Sequence, residues 1–224
     1  ALDQIKDQVS IENYDRFSFI MADDVSCDSD DSWTEKSTLG KIYLSAEFPS
    51  VSISWIKSTK RIRLTINHNF GHNLGLRHDN ANVSGTQVFN AEESPSMEYG
   101  GAYSVMGSSS NLAHYNAIHK NSLGWFDDGE VIEVSDSINQ VFTIAPISGE
   151  STLPKAIKIP REAGGSYFIE YRRPVGLDGL LYNLLPFKFL SSILVYLNND
   201  SFNGDSVLLL PTMFQHLDLE LNSI

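Results

Sequence analysis

The sequence predicts an α+β fold: a domain with a mixed sheet and few helices over residues 1–127, then a smaller β-rich, sandwich-like domain over 128–224. Three observations predict it. Apolar residues fall at helical spacing in only two segments, near 62–74 and 111–125. Short runs of strand character precede the first of these segments. After Phe126 the chain becomes a series of short β-rich runs split by Gly, Pro, Asn or Asp. With 42% hydrophobic and 20% charged residues, the composition supports a packed core rather than a disordered chain.

In chain order, "YDRFSFIMAD" (14–23) alternates and then stops at acids, as a strand does. "DDVSCDSDDS" (23–32) is an acidic loop, and "KIYLSAEF" (41–48) reads as a second strand. "IRLTINHNFGHNL" (62–74) carries Leu64, Ile66, Phe70 and Leu74 at helical spacing. Gly75 ends that helix, because glycine takes the left-handed conformation at little cost. Residues 81–101 are polar, without clear periodicity, and read as loop. "NLAHYNAIHKNSLGW" (111–125) reads as a second helix stopped by Gly124. The runs "GEVIEVS", "QVFTIAPI", "KAIKIP", "SYFIEYRR", "SILVYL" and "SVLLLP" follow as expected strands. The domain boundary is therefore expected near residues 126–130, and no repeat of 20–50 residues occurs.

The apolar stretch 179–197 is interrupted by Asn183, Pro186 and Lys188. A central lysine costs about 2.5–3.5 kcal/mol on insertion, so two buried strands with a turn near Pro186 are expected instead of a membrane span. The formal charge of −12, from 28 acidic and 16 basic residues, argues against a nucleic-acid partner. Cys27 is the single cysteine, so no intrachain disulfide forms, and this count does not fix the compartment. The chain opens on Ala1 with no basic-then-apolar leader, as a processed or trimmed form would.

The chemistry concentrates in "NHNFGHNLGLRHDN" (67–80). His68 and His72 are four residues apart, so both imidazoles leave one helical face and can bind one ion. Gly75 lets the chain turn back, and His78 supplies a third nitrogen. Three neutral nitrogens leave zinc an open fourth position for water, and this ligand type ranks Zn²⁺ ahead of other first-row metals.

This H-x-x-x-H-x-x-G-x-x-H spacing resembles the extended zinc signature of the metzincin peptidases, which has glutamate where this chain has Asn69. "EYGGAYSVMGSSS" (98–110) resembles the Met-turn of that clan, with Met106 as a hydrophobic floor beneath the ligands. "AHYNAIHKNSLGW" is similar to the helix after the Met-turn in the gametolysin-like branch, and "FIEYRRPVGLDG" (168–179) to the β-rich segment beyond it. The likeness spans residues 14–180 and leaves the last forty residues unaligned. It implies a secreted zinc endopeptidase acting on peptide or protein substrates, with no nucleic acid and no membrane span. The oligomeric state is not readable.

Asn69 falls at the position of the family's general base. Its amide can hydrogen-bond a water but cannot accept and return a proton at neutral pH. General acid–base help contributes about 10²–10⁴-fold, so hydrolysis is expected to be slow or absent. A pseudo-peptidase that binds peptide or glycan without cutting it is the alternative reading. Whether Asn69 is natural or introduced stays open, and Glu92, Glu93 and Glu98 are the acids weighed as substitute bases. Gly101 departs from the acid that the gametolysin-like pattern has there, which is expected to loosen the loop before Met106. The acidic loop 23–32 raises structural Ca²⁺ as a further cofactor, although its spacing is not that of an EF-hand. His114 and His119, five apart, fall off one helical face; His216 and Cys27 receive no role.

Overall fold

The computed structural model describes residues 2–22, 33–44, 50–58, 61–83, 96–107, 113–135, 140–183, 191–198 and 206–210. It is α+β, with mixed sheets and few helices. The chain divides into two compact units, Ala1–Arg77 and His78–Ile224.

In the first unit, a short helix α1 (Leu2–Ile5) and a 3-10 turn at Ile11–Asn13 precede a three-stranded sheet. Its strands are β1 (Arg16–Met21), β2 (Glu35–Ser37) and β3 (Ser52–Lys57), in the order β1-β3-β2. β1 runs parallel to β3, and β2 runs antiparallel to it at the edge. Leu2, Ile11, Val51 and Ile53 form the apolar core, with Phe17, Phe19 and Trp55 packed around it. Helix α2 (Ile62–Asn73) follows.

The buried positions of α2 are polar: Thr65, His68, Asn69, Gly71 and Asn73. Ile66 and Phe70, the apolar residues that mark the helix in the sequence, are exposed. Hydrogen bonds hold its C-terminal end. Asn73 donates to the carbonyls of Thr38 and Ile53 at 3.1 and 3.3 Å and accepts from Ser54 Oγ at 2.9 Å. Ser52 Oγ donates to the Asn73 carbonyl at 3.2 Å. A buried amide satisfied on all sides fixes rotation as well as position, which suits a helix that presents side chains to a site.

The second unit is built on one seven-stranded sheet, ordered β5-β4-β10-β9-β8-β7-β6. The strands are β4 (Asp79–Val83), β5 (Ser96–Met97), β6 (Val131–Glu133), β7 (Ala156–Pro160), β8 (Ser166–Arg172), β9 (Ser192–Asn198) and β10 (Ser206–Leu210). β10–β4 and β6–β7 are parallel pairs; the other pairs are antiparallel. Helix α3 (Ala117–Ser122) is capped by the Asn116 side chain and contributes Ala117 and Ile118 to the core with Phe168, Tyr196 and Leu208.

Several expectations are corrected here. Because β10 lies beside β4, the described strands of 128–224 share one seven-stranded sheet with β4 and β5, and residues 126–130 fall inside the second unit. Residues 81–101 include strands β4 and β5, so they are not all loop. The expected strand at 41–48 shows only a bridge between Ile42 and Val51 among its described residues, and the strand lies at β3 instead. "QVFTIAPI" forms no strand and contributes one bridge, Pro146 to Tyr171. Gly176–Asn183 is a 3-10 helix where a strand was expected, while β9 is present beyond it. The helix expected over 111–125 spans only Ala117–Ser122, and Pro186 and Lys188 lie outside the described residues. No helix among the described residues is long and apolar enough to cross a membrane.

Among the described residues, Arg172 is the largest fully buried side chain. Its Nε donates to Glu170 Oε1 at 2.6 Å and its Nη1 to Asp178 Oδ1 at 3.0 Å. Glu170 also caps α3 by accepting from the Ala117 amide at 2.6 Å. Removing one partner of a buried ion set leaves uncompensated charge, so Arg172→Ala is expected to cost roughly 3–5 kcal/mol. Urea unfolding measures it, and a loss below about 1 kcal/mol would refute the account.

Candidate metal centre

The three histidines of the sequence motif come together. One ring nitrogen from each of His68, His72 and His78 lies within 4.8 Å of the others. Among the described residues this is the cluster that can hold a metal ion. His68 and His72 project from α2, with ring centroids 4.7 Å apart and edge-on. Gly75 ends the helix at φ +94, and its amide donates to the His72 carbonyl at 2.8 Å. Nothing lies within 4 Å of a Cβ added at Gly75, so backbone conformation, not crowding, requires glycine there.

The outer nitrogens of two of these rings already have acceptors. His72 Nδ1 lies 2.8 Å from the Leu76 carbonyl, which can only accept, so the ring carries its proton there. His78 Nδ1 lies 2.9 Å from Glu98 Oε1. Protons held at Nδ1 leave the Nε2 lone pairs for a metal, and metal-ligating histidines are oriented in this way. Glu98 therefore stands beside a candidate ligand, His78. Tyr99 adds a tilted ring against His78, centroids 4.0 Å apart, and holds φ 59, a strained value for a non-glycine residue. Its amide donates to Asn80 Oδ1 at 3.1 Å. The donor set fits zinc: three imidazoles, with acceptors behind two of them.

Asn69 is buried, and its amide donates to the Thr65 carbonyl at 2.8 Å and to Glu35 Oε2 on β2. Desolvation raises the Glu35 pKa, partly offset by that hydrogen bond from Asn69. Sequence reasoning missed Glu35; "WTEK" carries no signal, and the contact joins residues 34 apart in the chain.

Met106 is fully buried, and its carbonyl accepts from the Asp79 amide, one residue beyond His78, at 2.9 Å. The turn around it is closed rather than loose. A Cβ at Gly107 would come within 2.0 Å of the Gly101 carbonyl oxygen, and one at Gly101 within 2.2 Å of the Asp79 carboxyl. The Asp79 side chain fills the space that a side chain at Gly101 would take.

His114 and His119 do not form a second cluster. His119 is buried with Nε2 3.3 Å from Ser206 Oγ, and burial lowers the His114 pKa. Glu92, Glu93, Cys27, the acidic loop 23–32 and His216 lie outside the described residues.

No family model, no curated protein and no solved structure matches the chain. Fold and site together define an α+β protein with a three-histidine cluster able to hold a metal ion.

Proposed function

We propose that this protein is a zinc metalloendopeptidase of metzincin type, working outside the cell, whose hydrolysis of peptide bonds is impaired at Asn69. The convergence of His68, His72 and His78 carries the reading. Zinc bound there would polarise a substrate carbonyl and lower the pKa of a bound water. Acceptors at the Leu76 carbonyl and Glu98, beside Nδ1 of His72 and His78, would leave Nε2 of each ring for the metal. Met106 is the buried floor of the turn that follows, as the resemblance implies. Three protein ligands suit an open site, since structural zinc usually has four.

A non-catalytic peptide binder is the second reading. It is favoured by Asn69, whose amide nitrogen is committed to Thr65 and Glu35 and offers no proton acceptor.

Metal stoichiometry and turnover test the proposal together. The protein is expected to bind about one zinc per chain, to lose it on His72→Ala, and to gain about 2.7 kcal/mol of stability at a hundredfold excess over Kd. Slow cleavage of a mixed peptide library that stops on chelation favours the peptidase. Tight peptide binding without turnover favours the binder. Zinc content unchanged by His72→Ala would sink both readings.

A further inference from the structure

We propose that Glu35 is the proton-carrying carboxylate of this site, standing in for the one that position 69 lacks. The inference rests on the histidine cluster being a hydrolytic metal centre.

The geometry concerns two side chains of the first unit. Asn69 directly follows His68 on α2, and its amide is one methylene shorter than glutamate. Beyond the end of that amide, within hydrogen-bond distance of Nδ2, stands Glu35 Oε2. Asn69 and Glu35 together therefore extend from α2 toward β2 and end in a carboxylate, as a single longer acidic side chain would. The contact is built rather than incidental. Glu35 opens β2, where it pairs with Ile56 of β3, and is half-buried. The Asn69 amide is fixed from its other side by the Thr65 carbonyl. A carboxylate offers about four lone-pair positions, and Asn69 occupies one.

Burial and the Asn69 hydrogen bond are what act on the Glu35 carboxyl. Lys36 and Lys57 hold their ammonium groups over the Trp33 ring, 5.1 and 5.0 Å from its centroid. Desolvation raises the Glu35 pKa, the direction that suits a base working near neutral pH.

The reaction balances on this one group. As the oxygen of the attacking water bonds to the peptide carbonyl carbon, one water proton passes to Glu35. As the C–N bond breaks, that proton passes to the leaving nitrogen, and Glu35 is a carboxylate again. The other water proton leaves with the acid product and is given up to the amine or to solvent.

The test uses the zinc-loaded chain, with zinc content measured first. If zinc content does not depend on His72, the metal reading fails and Glu35 falls with it. If it does, Glu35→Gln decides, since glutamine keeps the volume and still accepts from Asn69. Glu35→Gln is expected to lower kcat by at least about 100-fold with KM and zinc content unchanged. Acetohydroxamic acid, which gives up a proton on binding a metal, is expected to bind Glu35→Gln about tenfold more weakly, the effect of one charge-assisted hydrogen bond. Unchanged kcat in a cleaving parent overturns the proposal. In a parent with no measurable turnover, unchanged hydroxamate affinity overturns it and weakened affinity supports it. Should melting curves find Glu35→Gln unfolded, Glu35→Asp takes its place. It keeps the charge but withdraws it by a methylene, so a tenfold fall in kcat or hydroxamate affinity supports the proposal, and no fall overturns it.

Discussion

Exchanging the amide and the carboxylate of the Asn69–Glu35 pair is expected to raise peptidase turnover by up to about 100-fold, the part of the 10²–10⁴-fold typical of general acid–base catalysis that Glu35 does not already supply. The exchange is Asn69→Glu with Glu35→Gln. It moves the base from the edge strand β2 onto α2, directly after the ligand His68. The amide introduced on β2 would then donate to the new carboxylate on α2, so the hydrogen bond that Asn69 now gives Glu35 survives with its direction reversed. Asn69→Glu alone is expected to gain less. It would set two carboxylates within hydrogen-bond distance, and such a pair keeps one proton between them. The measurement is chelator-sensitive kcat/KM for parent, both single variants and the double variant at equal zinc content. The expected order is double, then Asn69→Glu, then parent, then Glu35→Gln. A parent as fast as the double variant would mean that Asn69 costs this protein nothing.

The parts of the site that were legible are those whose geometry is local. His68 and His72 face the same way because of the helical period, and Gly75 turns the chain because of its own φ. No contact from elsewhere is needed to read either. The α2 helix was found from Leu64, Ile66, Phe70 and Leu74, although Ile66 and Phe70 are exposed. The helix was readable from its period, but its orientation was not. Its buried face is set by Asn73 meeting Ser52 and Ser54, and that match exists only once β3 is placed. Strand β4, "DNANV", has no strand signature at all. It is a strand because β10 pairs with it from the far end of the chain, Ser206 beside Asp79. Glu35 was invisible for the same reason, while Glu98 was noticed for its charge but its contact with His78 was not readable. A carboxylate near a metal motif serves as a base or as a histidine's partner according to which atom it meets, and that is a fact of three-dimensional contact.

Raising the pH from about 4 to about 8 is expected to destabilise the metal-free protein, and Asp79→Asn is expected to remove much of that loss. Asp79 is fully buried, and its carboxyl is pushed up to about 8 by desolvation first, against the Ser206 hydrogen bond, with Glu170 adding to the rise. Its Oδ1 accepts from Ser206 Oγ at 2.9 Å, while Oδ2 has no hydrogen-bond partner. Folding thus favours the neutral acid. An unfolded chain releases that proton near pH 4, whereas the folded chain holds it until about 8. The stability contributed by the protonated form is whole below the lower value and gone above the upper one. Between them it falls by at most about 1.4 kcal/mol per pH unit, a ceiling of roughly 5 kcal/mol over the window. Glu170 shifts in the same direction through its own burial, so part of the slope remains after Asp79 is replaced. Asparagine keeps the acceptor for Ser206 and has no proton to lose. Urea unfolding at several pH values in the presence of chelator measures both slopes. A slope unchanged by Asp79→Asn would put a charge on Asp79 in the folded protein, with the Ser206 hydrogen bond and Arg172 outweighing its burial.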